Sequence, residues 1–143
     1  MTEICFVTEA HDPVACAHAE VLRAWAGGRR VRVCTADATM TARLDRMLWE
    51  IPREGFVPHV TLTSPLAAVT PVIVDHADVH PAEGDVLINL AADPPSFFAR
   101  FRRLVEIVGP DAIDKAAGRA RWRHYKARGY TLEHLRAVAA SGV

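Results

Sequence analysis

Five side chains toward the C-terminal end of the chain have the types and spacing to bind an anion: Lys115, Arg119, Trp122, Arg123 and Lys126. On a helix turning ~100° per residue they share one stripe roughly 100° wide. Four cations beside an indole suit two kinds of chemistry. They can grip a carboxylate while an apolar side chain packs on the ring. They can also stack a base and contact phosphate in single-stranded nucleic acid. The plainer reading is a solvated basic face. Against it, no carboxylate stands four residues before Arg119, Arg123 or Lys126, so ion pairs along the helix do not neutralise them. Spacing alone does not separate the two ligands. The arc of Ile113, Ala116, Ala117, Ala120, His124 and Ala127 is narrow and mostly small, and is expected to pack inward.

Other reactive side chains do not form a catalytic pattern. His76 and His80, with Asp75 and Asp78 nearby, have the types of a metal site, but they precede Pro81 in a predicted loop and no second ligand cluster follows. His11-Asp12 alone is no metallohydrolase signature. Cys5, Cys16 and Cys34 form no CxxC pair, and Cys5 and Cys34 sit in apolar runs, where they read as small buried hydrophobes. There is no GxSxG elbow. The expectation is a non-catalytic protein with no metal and no cofactor.

The elements that must hold the basic stripe can be read from periodicity and punctuation. Residues 4–7 predict a buried strand. Asp12-Pro13 then predicts a helix start, with the helix running to about residue 25 and stopped by Gly27-Gly28. Residues 31–34 are a second strand. Asp37 caps a second helix reaching about Trp49, and Pro52 ends that region. Residues 56–59 are extended, because a residue before proline avoids the helical region. Residues 71–74 and 86–90 are apolar almost throughout, as in strands covered on both faces. A third helix is expected from Ser96 to Val108, a fourth from about Asp111 to Arg128, and a short last one over residues 132–140. Residues 61–70 and 76–84 are the expected mobile loops.

This order predicts an α/β fold: a single-domain, Rossmann-like three-layer sandwich over residues 1–143, with a mainly parallel sheet. Such a sheet invites a nucleotide, yet no phosphate-binding loop is present. The first strand leads into Thr8-Glu9-Ala10-His11-Asp12-Pro13, without GxGxxG or GxxxxGK[ST]. Glu9 and Asp12 would repel phosphate there.

At 143 residues, half of them hydrophobic, the chain suits one core. No apolar run approaches the ~20 residues of a membrane span, and the cytoplasm is the expected compartment. The net charge of zero hides an asymmetry. Residues 1–95 carry 7 Lys/Arg against 13 Asp/Glu, and residues 96–143 carry 10 against 4. Zero net charge argues against a general polyanion binder, whereas the asymmetry argues for a local basic surface.

Several segments together resemble one family. Arg43-Leu44-Asp45-Arg46-Met47-Leu48-Trp49 followed by Phe56-Val57-Pro58-His59 is similar to the LD-x-x-LW…FVPH signature of the DNA polymerase III chi subunits. Trp25-Ala26-Gly27-Gly28-Arg29-Arg30-Val31, residues 71–73, 85–90 and 101–106, and the Arg119–Gly129 stretch follow in that family's order. The resemblance spans essentially the whole chain. It implies an accessory subunit of the polymerase holoenzyme that catalyses nothing itself. Such a subunit binds the acidic C-terminal tail of single-stranded-DNA-binding protein. It also pairs with the psi subunit, and through it joins the clamp loader. The tail ends in an apolar residue bearing the α-carboxylate, preceded by aspartates. By the resemblance, Arg119 takes the α-carboxylate and Lys115 and Arg123 meet the aspartates. Trp49, Phe56, Val108 and Trp122 line the apolar pocket. Trp49 and Phe56, at a helix end and a turn, equally fit a place in the core. Family members often carry Tyr where Trp122 stands and Lys where Arg123 stands. Direct binding of single-stranded nucleic acid through the stripe, and a small-molecule site at the C-terminal ends of the strands, are the competing functions.

Overall fold

The computed structural model describes residues 1–50 and 56–137. Seven strands form one sheet: Glu3–Thr8 (β1), Val31–Cys34 (β2), His59–Val60 (β3), Val72–Asp75 (β4), Gly84–Asn89 (β5), Phe101–Ile107 (β6) and Leu132–Arg136 (β7). Their order across the sheet is β3-β4-β2-β5-β6-β1-β7, and every described pair is parallel. Three helices pack on it: Pro13–Ala26 (α1), Ala38–Glu50 (α2) and Ala112–Ala127 (α3). This is the predicted Rossmann-like sandwich.

Alternation along the strands divides the core into two layers. Cys5, Val7, Val33, Val74, Ile88, Val105 and Ile107 pack with Val14, Ala17 and Val21 of α1 and Leu44 and Leu48 of α2. Ile4, Phe6, Leu87 and Leu104 face the other way, where Tyr125 of α3 joins Phe97, Phe98 and Phe101. The helix starts read from the sequence carry side-chain caps, as expected for Asp12 and Asp37 and also at Asp111. Asp12 accepts from the N–H of Ala15 at 3.2 Å, Asp37 from Met40 at 2.8 Å and Asp111 from Asp114 at 2.8 Å. Gly28 takes a φ of 75° just past α1, a backbone that glycine adopts without a Cβ penalty. Pro52, expected to end α2, lies outside the described residues.

Two predicted helices are strands. The stretch read as a helix from Ser96 to Val108 is a 3-10 turn, Phe98–Arg100, followed by β6. Phe101, Leu104, Val105 and Val108 match helical spacing. The same run alternates as a strand, however, and β6 lies between β5 and β1 with apolar residues on both faces. The expected last helix is β7 over residues 132–136, and residues 138–140 lie outside the described residues. A segment this short does not hold a helix by itself. Here it satisfies the outer hydrogen-bonding edge of β1 instead. The segments 61–70 and 76–84, expected to be mobile, are tied to the body, and Gly84 already belongs to β5. Leu62 N–H donates to Asp75, and Arg30 donates to the carbonyls of Ala68 and Thr70. Fully buried Arg32 donates to the carbonyls of Ala77 and Val79.

Candidate functional site

The rotation of α3 on the sheet decides which of its side chains can act. The small-residue arc does not face inward: Ile113 is 82% exposed, and Ala116, Ala120 and Ala127 are exposed as well. Gly118, Arg121 and Tyr125 are buried instead. The reason is a carboxylate in the sheet. Glu106 of β6 is fully buried and accepts from Arg121 Nε at 2.8 Å, from Asn89 Nδ2 at 2.9 Å and from the Tyr125 hydroxyl. Burial pushes the Glu106 carboxyl up, opposed by these donors; burial and the neighbouring Glu106 push the Tyr125 hydroxyl up too. Arg121 also donates to the carbonyl of Ala92 at 3.0 Å. A stripe of arginines suggests solvent, but this arginine follows its counter-charge inward and turns the helix with it.

Gly118 completes the seating. A Cβ there would stand 3.0 and 3.1 Å from the two methyls of Val108. The missing side chain lets α3 lie close on the end of β6. Trp122 is half-buried, its ring edge-on to Phe6 at 5.1 Å between centroids.

That rotation opens a cleft of about 470 Å³ between α3 and the β1–β7 edge. Phe6, Val108, Gly118 and Trp122 give it apolar walls, and Thr8, Glu9, Lys115, Arg119 and His134 bring polar groups. Thr8 Oγ1 and His134 Nε2 lie 2.7 Å apart. Lys115 Nζ is 3.1 Å from Glu9 Oε1. The Lys115 ammonium, by hydrogen bonding and by its charge, holds the Glu9 carboxyl below the usual carboxylate range. Arg119, by contrast, has no ion pair or hydrogen-bond partner among the described residues. The cleft therefore offers one uncommitted guanidinium beside an aromatic wall.

Of the residues singled out by sequence, Lys115, Arg119, Trp122 and Val108 come together here. Arg123 is exposed and does not line the cleft. Trp49 and Phe56 are elsewhere. They stack on each other at 5.0 Å near the β3 edge of the sheet, 60% and 52% exposed, with His59 beside them at 5.1 Å from Trp49. Between β3 and β1 lie five strand spacings of ~4.8 Å, roughly 24 Å of sheet, and Trp49 belongs to α2 on the opposite layer from α3. The two rings are neither core nor walls of this cleft, which corrects their placement in one apolar pocket. Sequence reading missed Phe6, Glu9, Gly118 and His134 as cleft residues. His134 was hidden because its segment reads as a helix, whereas β7 sets it on the α3 side beside Phe6.

Asp75 and His80, two of the residues with the types of a metal site, are committed to structure. Asp75 accepts from the N–H groups of Leu62 and Ala77, and His80 Nδ1 faces Arg32 at 3.3 Å. Burial and the Arg32 charge push His80 down to about 4. Among the described residues no group of three or more His, Cys, Asp or Glu could hold a metal ion. Cys5 and Cys34 are buried and Cys16 is half-buried. Burial raises the thiols of Cys16 and Cys34 to about 11 and about 12, far from the thiolate range of a nucleophile. No described helix is long and apolar enough to cross a membrane.

Comparison with known proteins bears on the whole chain. Residues 1–133 match the family model described as "DNA polymerase III chi subunit, HolC". The DNA polymerase III subunit chi of Pseudomonas aeruginosa is 33% identical over 142 residues, covering 95% of this chain and 97% of its own. The subunit of the same name from Escherichia coli is 29% identical over 109 residues, 76% of this chain and 74% of its own. That from Haemophilus influenzae is 26% identical over 133 residues, 92% and 90%. Among solved structures, a chain from a Saccharomyces cerevisiae Dbp5 complex with Nup159, Gle1, IP6 and ADP superposes with a TM-score of 0.66 at 11% identity. The match covers 99% of this chain and 44% of that one, and shows a likeness of fold alone.

Proposed function

The chain belongs to the DNA polymerase III chi subunit family, and on that premise we propose that it is a non-catalytic, cytoplasmic adaptor that receives the acidic C-terminal tail of single-stranded-DNA-binding protein. The family places it in DNA replication as a DNA polymerase III subunit. The tail reading is supported above all by Arg119, an uncommitted guanidinium at the mouth of an apolar-walled cleft. A terminal residue that is apolar and bears a free carboxylate matches both halves of that site. The carboxylate pairs with Arg119, its side chain packs on Trp122, Val108 and Phe6, and an upstream aspartate reaches Lys115. Arg123, outside the cleft, meets a more distant acidic residue by long-range attraction.

The cleft fits single-stranded nucleic acid less well, because Glu9 puts a carboxylate in its lining, which disfavours a run of phosphates. We further propose that a psi-type subunit is the second partner and joins this chain to the clamp loader. The exposed Trp49–Phe56 pair, away from the cleft, supplies a separate apolar surface for it.

The tail assignment is tested by calorimetric titration of a peptide ending in aspartates and an apolar residue with a free carboxylate. Arg119→Ala is expected to weaken binding roughly thirtyfold or more, from the ~2–5 kcal/mol cost of removing one partner of a desolvated charge pair. Trp49→Ala is expected to leave the affinity within about twofold, as for a site with no shared partner. Equal affinity of Arg119→Ala and the unaltered protein would remove the tail from this cleft. A steep salt dependence of single-stranded DNA binding in the absence of the peptide would favour the nucleic-acid reading.

A further inference from the structure

Glu9 is the non-glycine residue with a positive φ among the described residues, at 58°. Side chains with a Cβ rarely adopt that backbone. The turn is imposed from both sides by Val108, whose N–H donates to Val7 at 2.9 Å and whose carbonyl accepts from Ala10 at 3.1 Å. With Val7 and Ala10 both tied to one residue, the chain between them has to fold back, and position 9 takes the left-handed conformation. Glycine or asparagine would do so at less cost. A glutamate at such a position draws attention to what its side chain does.

That side chain crosses to the first turns of α3 and meets Lys115 at 3.1 Å inside the cleft. Both side chains keep access to water, 30% for Glu9 and 41% for Lys115, so the pair can open without unpacking the core. The two cations lining the cleft are thus in different states. Arg119 is uncommitted, and Lys115 already holds an internal carboxylate.

We propose that Glu9 is a built-in competitor for acidic ligands: it occupies Lys115 while the cleft is empty and must be displaced when a second ligand carboxylate enters. This rests on the tail-binding reading and makes Glu9 a specificity-determining residue of that site. A ligand with a single carboxylate uses Arg119 and leaves the Glu9–Lys115 pair intact. A peptide with an aspartate behind its terminal carboxylate gains Lys115 only by exchanging it for Glu9. The displaced carboxylate stays at the rim and opposes the approach of long polyanions.

The opposite effect of the same contact is that Glu9 holds Lys115 in place and so aids binding. The sign of one substitution separates the two. The peptide ending in aspartates and a free apolar carboxylate is titrated into the full chain and its Glu9→Gln, Glu9→Gly, Lys115→Ala and Lys115→Ala/Glu9→Gln variants. Glu9→Gln is expected to tighten binding roughly two- to fivefold, the scale of a part-exposed ion pair. Glu9→Gly is expected to tighten it likewise and also to raise the melting temperature, since it alone relieves the backbone. The gain from Glu9→Gln is expected to shrink in the Lys115→Ala background. Unchanged or weaker binding by Glu9→Gln, while Arg119→Ala still loses affinity, overturns the competitor and leaves the tail reading standing. A gain undiminished without Lys115 replaces displacement by general repulsion and overturns it too. Absence of peptide binding by both the unaltered chain and Glu9→Gln ends the tail reading and the competitor with it.

Discussion

Replacing Glu106 by leucine tests whether a buried ion pair sets the rotation of α3. The carboxylate is fully buried and holds three donors, of which Arg121 carries a charge with a side chain only 4% exposed. Its removal leaves Arg121 with the Ala92 carbonyl alone and the Tyr125 hydroxyl without an acceptor. Asn89 loses little, because its amide still reaches the carbonyls of Ala91 and Asp93. Stranding one charge of a buried pair costs ~3–5 kcal/mol, and most of the loss falls on Arg121. A domain of this size has ~5–15 kcal/mol in all, so Glu106→Leu is expected to remain folded with a much lower urea midpoint. The double variant Glu106→Leu/Arg121→Met removes both charges together. It is expected to recover at least ~2 kcal/mol relative to the single variant, since apolar replacement of a whole buried pair is often near neutral. Urea unfolding followed by circular dichroism, with unchanged slope, measures both. A single-variant loss under ~1 kcal/mol, or a double variant no better than the single, would refute the claim that the pair is what draws Arg121 inward.

Gly118→Val should destabilise the fold by ~1–3 kcal/mol through overpacking, because its Cβ would already crowd the Val108 methyls at 3.0 Å. It should also weaken peptide binding, since α3 can admit the new side chain only by lifting from the cleft floor; thermal melts and the same titration check the two effects. His80 has a depressed folded value of about 4 against an ordinary 6.5. The unfolded chain therefore binds the extra proton between those limits, and stability present above pH 6.5 is lost as pH falls toward 4. His80→Phe should flatten that part of the stability profile measured by urea titration from pH 7 to 4; an identical slope in both proteins would place the titration elsewhere.

Much of the architecture is legible in the sequence because local and tertiary signals agree there. Asp12-Pro13, Asp37 and Asp111 mark helix starts and serve as caps, and the runs around Ile73 and Ile88 are buried on both faces as their nearly continuous hydrophobicity requires. Where a segment satisfies two periods, tertiary context decides. The run from Phe101 to Val108 fits a helix by spacing and a strand by alternation, and only its place between β5 and β1 settles the choice. Leu132 to Arg136 is exposed over most of its length, so the hydrophobic pattern that betrays other strands is missing; its partner is the edge of β1. The cleft was half legible for a similar reason. Lys115, Arg119 and Trp122 could be grouped from α3 alone. The inward turn of Arg121 depends on Glu106, fifteen residues away on another element. The visible clue was a glutamate inside the apolar run Leu104-Val105-Glu106-Ile107, which cannot be buried without a cation. Trp49 and Phe56 show the converse limit. Large aromatic residues announce that something covers them, but not whether the cover is the fold's own core or another surface.

The same placements bear on why we propose an acidic peptide for this cleft where related architectures offer a phosphate site. Ligands of open parallel sheets usually sit beyond the C-terminal ends of the strands, against a helix N-terminus. Here several polar groups in that region are engaged or unfavourable to phosphate. The turn after β1 presents the Glu9 carboxylate, Asn89 at the end of β5 is bound to Glu106 and the carbonyls of Ala91 and Asp93, and the end of β6 is sealed by Val108 against Gly118. The N-terminus of α3 carries Asp111 as its cap and Asp114 in its first turn, two carboxylates that repel an anion from the free N–H groups. In the proposed reading an anionic ligand is turned away from the helix end, and the cations that line the cleft one turn later are Lys115 and Arg119 on its flank. That position provides side-chain cations and an aromatic wall in place of backbone amides. It suits a carboxylate attached to an apolar side chain better than a phosphate, and it is why we assign an acidic peptide rather than a nucleotide to this cleft.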